Sequence, residues 1–393
     1  MNLSDRKMVW SRRRRVALVP LVVVCAAACG GGGGGGGGNV VPPPGDTGVA
    51  FVITTDFQSG SFATLPLDDP QSLQVNRGSI GSDAVARFHD GRVYVINRFG
   101  ADNIQALDPE QDFATIYQCS VGNGANPQDI AFASSNKAYV TRLELPTVAI
   151  VDPTVGADCA GFLQGEIDLS FLADADGIPE LWQMAIVGDR LYVAAQRLDR
   201  NNFFEPTDAS YLAVIDTATD TVVDVDPATA AIDGIRLTGT NPFGESKGLT
   251  VDGRDIVIAE AGSFGALDGG IERVDTQTNR AEGFFVTEEQ LGGSITDFVL
   301  VDGGRAYAVL SAADFSNRLV RFDPATGQIV RTLATSSSFL PDIERDPARD
   351  RLYVASQELT SPGILVFEGA SDAALFGAPL DTGLPPFNIV IAE

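Results

Sequence analysis

The sequence predicts an all-β fold: a seven-bladed β-propeller of four-stranded antiparallel blades, closed by a C-terminal strand that joins the N-terminal blade. Three observations lead there. A short β-branched and aromatic strand recurs seven times along the chain. A second strand ending in an acidic turn follows every copy. The last residues repeat the pattern of a strand that opens another copy.

The recurring strand occupies residues 50–53, 93–96, 138–141, 191–194, 256–259, 306–309 and 352–355. Its aromatic-type position is filled by Phe51, Tyr94, Tyr139, Tyr192, Val257, Tyr307 and Tyr353, at spacings of 43 to 65 residues. Such a period, with four short strands in each unit, is how a propeller is written in sequence. Asp90-Gly91, Gly188-Asp189, Asp252-Gly253 and Gly303-Gly304 precede copies of the strand and supply hairpin-turn chemistry.

The second strand occupies residues 65–68, 105–108, 149–152, 213–216, 272–275, 320–323 and 365–368, and each copy ends in Asp or Glu. An aspartate at the first position of a turn accepts the amide hydrogen two residues on, so these acids are read as structural. The tail, residues 386–393, matches 127–133, an innermost strand. It is expected to complete blade one and to cover sheet edges that would otherwise stay open.

The domain organisation follows from the N-terminus. Arg6, Lys7 and Arg12 to Arg15 precede an apolar run, residues 16–28, that is too short to span the roughly 30 Å of bilayer hydrocarbon. Residues 1–28 are therefore read as an export signal. Ala26-Ala27-Ala28-Cys29 resembles the bacterial lipobox, with Ala26 where Leu is usual. That resemblance implies a lipidated Cys29, with palmitate-type acyl chains anchoring a periplasmic or surface-facing domain in the cell envelope, and Gly30 after it resembles outer-membrane sorting. Residues 29–48, with nine consecutive glycines and then Pro42-Pro43-Pro44, read as a tether. Residues 49–393 are the propeller. The segment 11–15 also bears a faint likeness to a twin-arginine signal, which leaves the export route open.

Removing residues 1–28 leaves 21 Lys+Arg against 51 Asp+Glu. A surface so acidic repels phosphate backbones and excludes nucleic acid as a partner. It favours protein partners or ligands that are basic or cationic. Cys119 and Cys159 fall at similar places in consecutive repeats, and in an oxidising compartment they form either a disulfide between neighbouring blades or two buried thiols. The chain is expected to be a monomer.

The Tyr-Val strands, the turn Asp323-Pro324-Ala325-Thr326-Gly327 and the strand entry Asn126-Pro127-Gln128-Asp129-Ile130 resemble YVTN-type β-propeller repeats, relatives of the NHL, quinoprotein-amine-dehydrogenase-like and lactonase-type propellers. The resemblance covers nearly all of 49–393. It implies the fold and leaves function open, since this fold hosts many activities.

Counting about ten residues back from each aromatic position gives a polar column at the inner strands: Ala84 beside Asp83, Asp129, Gln183, Lys247, Asp297 and Asp342, with Asn388 in the tail. Such a ring either gathers a cation or ligand at the channel mouth or satisfies backbone groups at the strand entries. Two insertions, 198–208 with Phe203 and Phe204, and 261–270, offer partner-contacting loops or fold back on their blades.

No Gly-x-Ser-x-Gly elbow, Cys-x-x-Cys-His motif or recurring Trp motif is present, and His89 is the only histidine. The favoured expectation is a non-catalytic, membrane-anchored binding or scaffold propeller with no cofactor. The alternative is a lactonase-type hydrolase that uses Ca²⁺ or another divalent cation in the channel. On the first reading the column carboxylates tolerate replacement; on the second they converge on one ion.

Overall fold

The computed structural model describes residues 48–243 and 249–393. The export signal, Cys29, nearly all of the tether and Lys247 lie outside the described residues. The described chain is almost entirely strand and turn, and among its residues no helix is long and apolar enough to cross a membrane.

Seven antiparallel blades follow one another in chain order. Blade two is the plainest: Ala84–His89, Arg92–Asn97, Asn103–Asp108 and Ala114–Ser120, paired in that order from the channel outward. Blades three, five and six repeat this arrangement. In blade four the third strand, Tyr211–Asp216, is shared by two short partners, Thr221–Val222 and Ile235–Arg236. Blade seven has three regular strands, and its outermost place is taken by single bridges, Phe367 with Ala374 and Ile364 with Leu380.

Blade one closes the ring as the tail repeat predicts. Pro386–Ala392 pairs antiparallel with Val49–Thr55, from Ala392 opposite Val49 to Asn388 opposite Ile53. The inner strand of blade one therefore comes from the opposite end of the chain to its other three strands. All sheets close within Pro43–Glu393, which forms one compact unit.

The repeated residues explain why the blades stack. In each copy of the recurring strand successive side chains point to opposite faces, and both faces are covered by a neighbouring blade. Val93, Tyr94, Val95 and Ile96 are all buried, as are Leu352, Tyr353, Val354 and Ala355. Three of the tyrosines then reach across to the acidic turn of the next blade. Tyr139 donates to Asp220 at 2.6 Å, Tyr192 to the Thr276 carbonyl at 3.3 Å, and Tyr307 to Asp372 at 2.8 Å. The turn aspartates act as their position predicts: Asp108, Asp152, Asp216, Asp275 and Asp323 each accept the amide hydrogen two residues on.

Cys119, in the outer strand of blade two, is bonded to Cys159, in a loop of blade three, with 5.5 Å between the Cα atoms. Closing a loop of 40 residues in the unfolded chain is worth about 4 kcal/mol.

Deleting residues 386–393 removes Phe387, Ile389, Val390 and Ala392 from the core. At about 1.5–3 kcal/mol for each large side chain the loss is roughly 6 kcal/mol, comparable with the whole stability of a typical domain. The truncated chain is expected to lose its cooperative thermal transition in circular dichroism. A transition within a few degrees of the parent's would show that the closing strand is dispensable.

Candidate functional site

The inner strands begin at one mouth of the central channel, and the polar column sits just inside it. Four of its members make the same bond: a side-chain oxygen accepts an amide hydrogen from the next blade's inner strand. Asp129 accepts from Met184 at 2.8 Å, Asp297 from Ile343 at 2.9 Å, Asp342 from Ile389, and Asn388 from Ala86 at 2.8 Å. These bonds tie blade three to four, six to seven, seven to one and one to two.

Asp129 and Asp297 use both oxygens. The other oxygen accepts the amide hydrogen of the following residue, Ile130 at 2.9 Å or Phe298 at 2.8 Å. Asp129 also receives the Arg87 guanidinium at 2.8 Å, which brings blade two into the same cluster. Burial raises the Asp129 carboxyl, and Arg87 and the two amides oppose that shift. Gln183 is buried in the inner strand of blade four.

In blade two the bonding pattern identifies Val85, not Ala84, as the equivalent position, because Asn388 bonds the amide that follows Val85. Blade two pairs without interruption from Ala84 opposite Asn97 to His89 opposite Arg92, whereas the inner strands of blades three and six each carry register shifts. A fixed count back from the tyrosine therefore overshoots by one residue in blade two. Asp83 instead holds Arg98, at 2.6 and 2.8 Å. His89 ends the strand and stacks on Phe132, with 4.1 Å between ring centroids.

Above the column the mouth opens into a cavity of about 310 Å³ beside blades five, six, seven and one. Five phenylalanines line it: Phe57, Phe243, Phe264, Phe339 and Phe387, with Ala261, Leu340 and Pro341 between them. Thr296, Pro341 and Phe387 are the residues immediately before Asp297, Asp342 and Asn388, so the bonded column is its floor. Phe57 meets Phe387 edge-on at 5.7 Å, Phe264 stacks on Phe315 at 5.7 Å, and Trp182 stacks on Phe243 at 6.0 Å. The Arg98 guanidinium lies 5.4 Å from the Phe387 ring centre. The sequence reading missed this aromatic group. Its one available signal was phenylalanine falling repeatedly after a copy of the recurring strand (Phe57, Phe264, Phe315) or before or at the start of an inner one (Phe243, Phe339, Phe387).

The insertion in blade four forms a small hairpin, Leu198–Asp199 with Glu205–Pro206, and carries Phe203 at its tip with 93% of its surface exposed. Arg200 holds its base through Glu180 at 2.7 Å and through Glu144.

Four buried glutamates, Glu180, Glu260, Glu272 and Glu288, stand apart from the column. Glu288 bridges blades five and six, accepting from Gly269 at 3.2 Å and Ile295 at 2.7 Å. Glu260 lies beside Glu272 on blade five, where a Cβ on Gly239 would come within 2.5 Å of the Glu260 carboxyl. Burial, reinforced by the neighbouring Glu272 carboxyl, holds Glu260 well above the usual range. Burial pushes Glu180 up to about 7 against the pull of Arg200, and Glu288 up to about 7. Among the described residues no group of three or more His, Cys, Asp or Glu side chains is placed to hold a metal ion.

No family model matches the chain, and no curated protein matches it. Solved structures do. A protein from Bacteroides uniformis, named as a candidate 6-phosphogluconolactonase, superposes with a TM-score of 0.60 at 11% identity, over 88% of this chain and 100% of that one. A counterpart from Bacteroides fragilis, named likewise, gives 0.59 at 13% identity, over 90% and 100%. Apo AztD from Citrobacter koseri gives 0.52 at 12% identity, over 88% and 98%.

Two outcomes follow for stability. Asp129→Ala leaves two inner-strand amides without their acceptor and takes the carboxylate away from the Arg87 guanidinium, and is expected to cost about 3 kcal/mol in urea unfolding; a cost below about 0.5 kcal/mol would mean that the bonds contribute nothing net. Glu180, Glu260 and Glu288 set a pH dependence. Folded, they keep protons that the unfolded chain releases above the ordinary value of 4.5. Their contribution is therefore full below pH 4.5 and is lost as pH rises towards 7 and, for Glu260, beyond. Glu260→Gln should flatten the fall in unfolding midpoint between about pH 5 and 8; a slope identical to the parent's would show that Glu260 does not titrate in this way. At this mouth, the likenesses to solved structures show the fold alone: a seven-bladed β-propeller.

Proposed function

We propose that the chain is a lipid-anchored propeller of the bacterial cell envelope that binds a ligand or partner at its channel mouth. One observation carries the binding part. The acids that the sequence places around the channel each give an oxygen to a blade-to-blade bond, and the space above them is lined by aromatic rings. A hydrolase of the lactonase type needs carboxylates that can converge on an ion. Here the same carboxylates hold inner strands together, so replacing them costs stability on either reading.

The anchoring part rests on the sequence. The small residues before Cys29 and the glycine run after it suit a domain hung from a membrane. Several acyl chains give stable attachment where a single chain is marginal. The Gly30 that follows Cys29 favours the outer membrane, with the propeller in the periplasm or at the cell surface. A propeller leaves only short sheet edges at its rim, which suits a monomer.

The full chain expressed in a bacterial host with radiolabelled palmitate is expected to take up label and to sediment with membranes. Cys29→Ser is expected to lose the label and to move to the soluble fraction. A parent chain that is unlabelled and soluble, or a Cys29→Ser chain still labelled, would reject the anchor.

A further inference from the structure

We infer that the aromatic cavity at the channel mouth is a binding site for a neutral, planar, largely apolar small molecule that carries one hydrogen-bond acceptor. This deepens the binding part of the reading above and rests on it.

Size and lining come first. A cavity of about 310 Å³ lies at the lower end of the range that takes small organic ligands and excludes a folded protein segment. Phe57, Phe264 and Phe339 are 59%, 47% and 50% exposed. Rings left half in water at the rim of one cavity are an uncovered apolar surface of the kind that marks a binding site. Flat rings set edge-on and stacked, as these are, offer planar surfaces to a planar guest.

Charge comes second. Among the described residues no side chain that lines the cavity is ionised at neutral pH. One face of the Phe387 ring is already taken by the Arg98 guanidinium, so that ring does not serve a ligand cation. An aromatic cage for a quaternary ammonium needs open ring faces without a competing positive charge beside them. A neutral guest meets neither obstacle.

Polar groups come third. Asn317 donates to Ser311 and the Phe315 carbonyl and accepts from Leu340. Asn241 is held by Gln196 and the Gly262 carbonyl, and Gln357 donates to the Pro386 carbonyl. The Thr296 hydroxyl alone among these lining polar groups is withdrawn from solvent without any hydrogen bond. Thr296 lines the cavity, and its hydroxyl is a donor for which the surrounding residues supply no acceptor. An acceptor on the ligand would satisfy a group that the fold leaves unsatisfied.

The test uses residues 46–393, since every sheet closes within that unit. The probe is 6-propionyl-2-(dimethylamino)naphthalene, which is neutral and planar and has a single ketone acceptor. Trp182, the only tryptophan in 46–393, stacks on the lining residue Phe243 and serves as the energy-transfer donor. Saturable, single-site sensitised emission is expected. Phe264→Ala/Phe339→Ala is expected to weaken binding at least tenfold with unchanged thermal unfolding, because both rings are half exposed. Thr296→Val is expected to weaken it about fivefold, the scale of one lost hydrogen bond. Emission that does not saturate, affinity unchanged in the double variant, or displacement by millimolar tetramethylammonium would each overturn the inference. Palmitate labelling reads the anchor and this titration reads the cavity, so the two can fail separately.

Discussion

The bond on which the centre of this ring depends is a side-chain oxygen accepting an amide hydrogen from the neighbouring blade's inner strand. A propeller's inner strands have no strand partner on the channel side, and neighbouring blades are not joined by a continuous ladder. Asp129, Asp297, Asp342 and Asn388 supply that cross-link. A carboxylate suits the task because one oxygen can fix the acid to its own strand while the other reaches the next. At the closure Asn388 is the better residue. It donates to Asp342 at 3.0 Å and accepts from Ala86. An aspartate there would set two buried carboxylates within hydrogen-bond distance, and one would have to take up a proton.

The same bonds shape the mouth. Three of the four bonding residues, Asp297, Asp342 and Asn388, directly follow a side chain that lines the cavity, so Thr296, Pro341 and Phe387 are held in its floor while the other rings come from loops. Blade five departs from the scheme. Its inner strand, Thr250–Asp252, is short, and the link to blade six is made by Glu288 from the start of a short α-helix, Glu288–Leu291. The link from blade four to blade five includes a bond between backbones, Leu249 to the Met184 carbonyl at 3.3 Å.

Much of this was legible in the sequence. Period, blade number, turn chemistry and the closing strand are local patterns, and the repeats state them seven times. The column was legible as a polar ring, but its register in blade two was not, because register shifts lengthen the strands of blades three and six and leave blade two uninterrupted. Whether a carboxylate faces a channel or an amide depends on the neighbouring blade, as the Asp129–Met184 bond across 55 positions shows. The aromatic cavity was hidden for a related reason. Four of its five phenylalanines sit in loops of different lengths, so no fixed offset from the tyrosines gathers them.

Net charge shows the same separation between composition and placement. A chain with 52 acidic residues against 27 basic ones suggests an acidic channel, yet the carboxylates are spent elsewhere. Asp108, Asp152, Asp216, Asp275 and Asp323 cap turns in their blades. Asp220 and Asp372 receive tyrosine hydroxyls from the preceding blade. Asp129, Asp297 and Asp342 bind amides. What remains at the mouth is the part of the repeat that backbone bonding does not need, and there the chain has placed phenylalanine. Exposed rings on so acidic a protein do not aid solubility or add to a core. Their concentration around one cavity, above inner strands bonded to one another across the blades, is what a binding surface requires: apolar area free to be covered, on a cross-linked frame.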